Sequence, residues 1–164
     1  MNYALIVWIV YLINIKAARL HGGLKKRDIT VVTVIQCKFL VFNRSFYFFN
    51  AWQMAYIRIK NPPQQIGAVV AVSLCPDHFV PHISNIVQAR TGLGTDVLCM
   101  DIPQGCCGFI MGLAQAFMLL EHMDKKVVLI NTDILSHKVS KRDRNDFPLI
   151  GDGAAVTIVE NSCT

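Results

Sequence analysis

The chain has 164 residues, of which 53% are hydrophobic and 16% charged, with a formal net charge of +5. That length predicts one domain of ordinary size, and so high an apolar fraction excludes a disordered chain. The basic excess suits anionic ligands such as phosphates or an acidic partner, but the charges form no dense stripe, so no nucleic-acid partner is expected.

Ala4 to Ile15 is apolar apart from Asn14. The run is shorter than the roughly 20 residues a bilayer-spanning helix needs. No basic residue precedes it, as one would in a signal peptide, whereas Lys16 and Arg19 follow. A buried strand or helix is its first reading. An interfacial segment, or a leader foreign to the fold, are the alternatives. Lys25–Lys26–Arg27 and Lys138 to Arg144 are the tight basic runs, and both read as solvated loops. Val31 to Ile35 is a short β-branched run, and Phe39 to Phe49 carries five phenylalanines without helical periodicity.

Asn61-Pro62-Pro63 marks a loop, and beyond it the pattern becomes orderly. Ile66 to Ser73 is a continuous Val-rich run, the mark of a strand buried on both faces. Pro81 can open a helix that carries Ile83, Ile86 and Val87 up to Gly92. Val97 to Asp101 predicts a second strand. Gly105 to His122 predicts a helix apolar nearly all round, and therefore buried. Lys125 to Asn131 and Ala154 to Val159 predict two further strands. Strands alternating with helices imply an α/β fold with a layered, mostly parallel mixed sheet and a buried central helix. The chain divides into 1–53, an atypical aromatic leader, and 54–164, the orderly part.

Six cysteines are present: Cys37, Cys75, Cys99, Cys106, Cys107 and Cys163. None has CxxC spacing or a zinc-like His neighbour, so no metal is expected, and scattered thiols fit a reducing, cytoplasmic compartment. One of them has a distinctive setting. In Asp101-Ile-Pro-Gln-Gly-Cys-Cys-Gly-Phe109 a short strand ends, a turn follows and a long helix begins, with Cys106 at the helix start. Amide groups there favour negative charge, and a positioned thiolate can attack a thioester carbonyl. The bland alternative is a small buried residue of an apolar helix.

Four segments in order then resemble ketoacyl-ACP synthase III and its thiolase-fold relatives. Gln65 to Gly94 is similar to the family's second strand, its Pro-led helix and the Leu-Gly that follows. Asp101 to Phe109 is similar to the strand-to-elbow motif, Asp and then Cys-small-Gly-Phe. Lys125 to Ser136, KKVVLINTDILS, resembles the strand after the elbow helix. Asp143-Arg144 with Leu149-Ile-Gly-Asp-Gly-Ala-Ala155 resembles the Asp-Arg and Phe-Gly-Asp-Gly-Ala pair. The resemblance covers residues 54–164 and implies the amino-terminal half of a thiolase-like fold.

The resemblance implies an acyltransferase. Cys106 would be the acylated nucleophile, with Cys107 at the neighbouring small position. Arg144 would contact the nucleotide end of coenzyme A, although a loop ion pair with Asp143 or Asp146 is an equal reading. Gly151-Asp152-Gly153 would form a mainly structural turn, and Val80 and Pro81 would lie near a dimer interface and the acyl pocket. Acyl-CoA would be a substrate rather than a cofactor. Acyl carrier protein would be the further partner, in fatty acid biosynthesis, with a homodimer or a complementary half-chain and no membrane association. The family's catalytic His and Asn belong to its second half. None of His21, His78, His82, His122 or His137 matches such a position. The family's early coenzyme A-gripping segment does not match residues 1–53 either. The chain is therefore expected to be a fragment with an out-of-frame or rearranged leader, and Met54 as an internal start. The contrasting expectation is a catalytically incomplete partner subunit or degenerate paralogue with a structural role.

Overall fold

The computed structural model describes residues 7–15, 28–38 and 63–162. The phenylalanine-rich stretch 39–49, the Lys25–Arg27 run, Met54, the start of the loop at 61–62 and Cys163 lie outside the described residues. Six strands form one sheet: β1 (Val7–Ile15), β2 (Asp28–Lys38), β3 (Ile66–Val72), β4 (Leu98–Ile102), β5 (Lys126–Ile134) and β6 (Asp152–Ser162), in the order β1-β2-β6-β5-β3-β4. Helix α1 (Ile83–Thr91) joins β3 to β4, and α2 (Gly108–His122) joins β4 to β5. Among the described residues no helix is long and apolar enough to cross a membrane.

Chain order explains the layering. β3 is flanked by β4 on one side and β5 on the other, and both ladders are parallel. A parallel crossover is right-handed. The two crossovers run in opposite directions across the sheet, so their helices must lie on opposite faces. The side chains agree. Val87 of α1 shares a core with Val69, Val128, Ile130, Val156 and Ile158. Ala116 and Leu120 of α2 share the other with Ala68, Val70, Val127, Leu129 and Val159. β3 is buried along its whole length, as its unbroken apolar sequence requires. The register shift between Ile66 and Ala68 puts Ile66 and Val69 on the same face, three residues apart.

Over the four later strands the sheet is mostly parallel, with β6 antiparallel to β5. The apolar run near the start takes strand form as β1, which pairs antiparallel with β2 in unbroken register from Val7–Cys37 to Ile15–Ile29. β2 joins the sheet through β6 and not through β3. Helix α2 sinks one stripe, Gly108, Gly112, Ala116 and Leu120, into the sheet. Its opposite side bears the exposed Ile110, Met111 and Met118, so among the described residues the helix is buried on one face only. An apolar circumference is necessary for all-round burial but supplies no second neighbour to cover it. The helix also begins at Gly108 rather than Gly105, leaving Gly105 to Cys107 as a turn.

Candidate active site

The three parallel strands β3, β4 and β5 all finish at one edge of the sheet, where open α/β sheets place their ligands. Side-chain carboxylates organise that edge. Asp101, the penultimate residue of β4, accepts hydrogen bonds from the backbone N–H groups of Ile83 at 2.7 Å and Ser84 at 2.9 Å. It thereby caps α1 from across the fold, because His82 at the N-cap position makes no side-chain capping bond. Asp133, near the end of β5, accepts from the Ser73 hydroxyl at 3.1 Å and the Leu74 N–H at 2.8 Å, fixing the turn that leaves β3. Asp152, opening β6, accepts from the Ser136 N–H at 3.0 Å and its hydroxyl at 2.6 Å. The Gly151-Asp152-Gly153 turn is thus tied to the segment following β5.

Within this frame β4 ends at Ile102, and the chain turns through Gln104, Gly105, Cys106 and Cys107 into α2. The Gln104 N–H bonds the Ile102 carbonyl at 2.9 Å and the Gly108 N–H bonds the Gly105 carbonyl at 2.7 Å. Cys106 is exposed on this turn, two residues before the first helical residue, with a strand leading in and a helix leading out. Cys107 is also exposed, and its thiol lies 3.8 Å from the Gln104 side-chain oxygen. A Cβ placed on Gly108 would meet Val72 inside van der Waals contact, so this glycine brings α2 onto β3 rather than opening space for a ligand.

A cavity of about 310 Å³ opens beside Cys106. Its walls are Val72 of β3, Gln104 to Cys106 of the elbow, Phe109 of α2, Asn131 to Asp133 of β5, Gly151 just before β6, and Gly153 to Ala155 of β6. The lining is mainly apolar with few polar groups, as in small-molecule sites. Among the described residues no three His, Cys, Asp or Glu side chains cluster as metal ligands would.

Arg144 is exposed in the loop before Phe147–Leu149 and is not part of the cavity wall. The neighbouring Asp143 carboxylate folds back on its own exposed loop, accepting the N–H groups of Asn145 at 2.9 Å and Asp146 at 3.2 Å. The structure therefore does not bring Arg144 to the sulfur. Sequence reasoning passed over Asn131. Its only signal is a polar side chain directly after the fully buried Val127 to Ile130.

The family model for 3-oxoacyl-[acyl-carrier-protein] synthase III matches residues 100–164. A beta-ketoacyl-[acyl-carrier-protein] synthase III of Clostridium botulinum (strain 657 / Type Ba4) is 36% identical over 118 residues, which are 70% of this chain and 36% of that protein. One from Caldanaerobacter subterraneus subsp. tengcongensis is 36% identical over 98 residues, 59% of this chain and 29% of that protein. The chain thus spans about a third of the curated relatives it matches. Among solved structures, the beta-ketoacyl-[acyl carrier protein] synthase III of Thermus thermophilus superimposes with a TM-score of 0.68 and 29% identity, covering 76% of this chain and 39% of that one. The 3-oxoacyl-[acyl-carrier-protein] synthase III of Aquifex aeolicus VF5 gives 0.70 and 25%, covering 79% and 42%. The chain therefore carries a segment of the ketoacyl-ACP synthase III family with its thiolase-like fold, and the extent of the match fits the family's amino-terminal half.

Proposed function

We propose that this chain accepts an acyl group from acyl-CoA onto Cys106, the first half-reaction of a 3-oxoacyl-ACP synthase III in fatty acid biosynthesis. The observation that carries the reading is the exposed Cys106 on a strand–turn–helix elbow beside a cavity of about 310 Å³. The sulfur, as thiolate, attacks the thioester carbonyl carbon. The tetrahedral adduct collapses by breaking the bond to the coenzyme A sulfur, which leaves as a thiolate and takes up a proton, and the acyl group remains on Cys106 as a thioester. Arg144, exposed in its loop, is available to the nucleotide phosphates of coenzyme A, for which a guanidinium is well shaped.

Condensation with malonyl-ACP and loss of carbon dioxide need donors that hold the thioester oxygen and stabilise the developing charge. In the family these are the His and Asn of the other half. A complementary half-chain is the assembly that would supply them, in the cytoplasm, with acyl carrier protein as the second substrate's carrier, whereas a homodimer would only join two copies of this half. Incubation of the chain with a panel of acyl-CoAs, followed by intact mass measurement, tests the reading. The expected result is a single acyl adduct abolished by Cys106→Ala and kept by Cys107→Ala, with Arg144→Ala raising the acyl-CoA concentration needed. A folded sample that gains no mass from any thioester would overturn it.

A second reading has its own observation. The outward face of α2, with Ile110, Met111 and Met118 exposed, suits a chain whose role is to pack against a partner. Absence of acyl-cysteine even beside a chain supplying the missing His and Asn would favour this structural role.

A further inference from the structure

Asn131 is the residue of the cavity wall whose chemistry nothing above uses. Along β5, Val127 and Leu129 point into the core beneath α2. Strand alternation puts Asn131 on the same face, one step nearer the carboxyl end, where it lines the cavity together with Cys106, Phe109 and Ala155. Its ladder partner is Ala155, too small to reach across to it. Both polar atoms of its carboxamide are shielded from solvent and have no hydrogen-bond partner among the described residues. An amide left in that state opposes folding, and such groups are rare enough to call for a function. Asp133, two residues further along the same face, is already engaged by Ser73 and Leu74. The terminal torsion of an asparagine is soft, so a small rotation brings the carboxamide to the cavity without moving the strand.

We infer that Asn131 is a specificity-determining residue, selecting acyl thioesters whose acyl part carries a neutral oxygen substituent, a hydroxyl or carbonyl, over bare alkyl chains. The inference rests on the reading of Cys106 as acyl acceptor. A bare alkyl group would leave the amide as unpaired as it is in the free chain, whereas an oxygen on the acyl part would pair with it. A site with a buried polar group discriminates strongly against the ligand that leaves it unpaired. The penalty of one such group corresponds to about 5- to 150-fold in selectivity.

The test compares 3-hydroxybutyryl-CoA with butyryl-CoA on the full chain. Acylation of Cys106 is expected to be faster with the hydroxylated thioester by about tenfold or more, within the range that one unpaired buried amide implies. In Asn131→Leu, which keeps the branched shape of the side chain and removes its hydrogen-bonding atoms, that preference is expected to vanish or reverse. Equal rates in the unsubstituted chain, or a preference unchanged by Asn131→Leu, would overturn the inference while leaving Cys106 as the acceptor. Should neither thioester acylate Cys106, the acyl-transfer reading fails instead. Binding of the same two thioesters to Cys106→Ala then decides Asn131 separately. Tighter binding of the hydroxylated one supports it, and equal binding, or binding of neither, overturns it.

Discussion

Cys99 sits on β4 two residues before Asp101, with its thiol 3.7 Å from the Val97 carbonyl oxygen. Burial pushes its pKa up, and the negative charge of Asp101 pushes it the same way. Both causes penalise the thiolate, which is the form that alkylates. Iodoacetamide is therefore expected to modify the exposed Cys106 and Cys107 well before Cys99. The Cys99 reaction should require pH above the ordinary thiol range near about 8.5. Asp101→Asn should move the Cys99 profile back toward lower pH by removing the second cause. Peptide mapping after timed alkylation at several pH values checks this, and Cys99 reacting alongside Cys106 would contradict it. The cysteine count alone could not rank these thiols, because burial and the nearness of Asp101 depend on how β4 is set in the sheet. Cys106 differed because the run from Asp101 to Phe109 already read as a strand, a turn and the start of a helix.

At the scale of elements, the Asp101 carboxylate and the α1 terminus form one unit. Removing it strands the N–H groups of Ile83 and Ser84. Asp101→Ala is expected to cost about 1–2 kcal/mol of stability, the range of a lost helix cap, and Asp101→Asn less, since its amide oxygen still accepts. Denaturant titration of the two variants measures the difference, and an unchanged midpoint in Asp101→Ala would refute the cap. Helix α2 depends on close approach instead. A Cβ at Gly112 would stand 2.5 Å from the Leu129 methyl, and one at Gly108 would press on the stiff, buried Val72. Gly108→Val is expected to destabilise by about 1–3 kcal/mol through overpacking, despite the better helix propensity of valine over glycine. A thermal melt at or above that of the unsubstituted chain would contradict the packing argument. The strands from 66 onward were legible because each is a short apolar run between turn residues. Their ends were less so: β5 runs on through Asn131 to Ile134 and β6 starts at Asp152, since backbone pairing with a neighbour extends a strand past its apolar residues. The distant cap on α1 was not legible either, since nothing in the order of residues announces that Asp101 folds back on Ile83.

For the whole molecule, alternation of strand and helix was enough to specify an α/β sheet, while the place of β1 and β2 at its β6 edge rests on long-range pairing that no local pattern encodes. The outer face of α2 is a property of the whole in the same sense. Gly108, Gly112, Ala116 and Leu120 advance by four residues along the stripe facing the sheet, and Ile110, Met111 and Met118 fall on the opposite side. Their exposures are 64%, 51% and 59%, large for apolar side chains sharing one face of a helix. Such a patch lowers its free energy by leaving water, and the described chain offers nothing to cover it. The chain on its own is accordingly expected to self-associate as its concentration rises. Ile110→Lys combined with Met118→Lys should shift it toward monomer and raise the soluble yield. Both positions point away from the sheet, so each exchange should change folding stability by no more than about 0.5 kcal/mol. Light scattering over a concentration series reads the mass directly. If the doubly substituted chain associates as strongly as the original, the apolar side of α2 is not what drives assembly, and the contact must be sought elsewhere on the molecule.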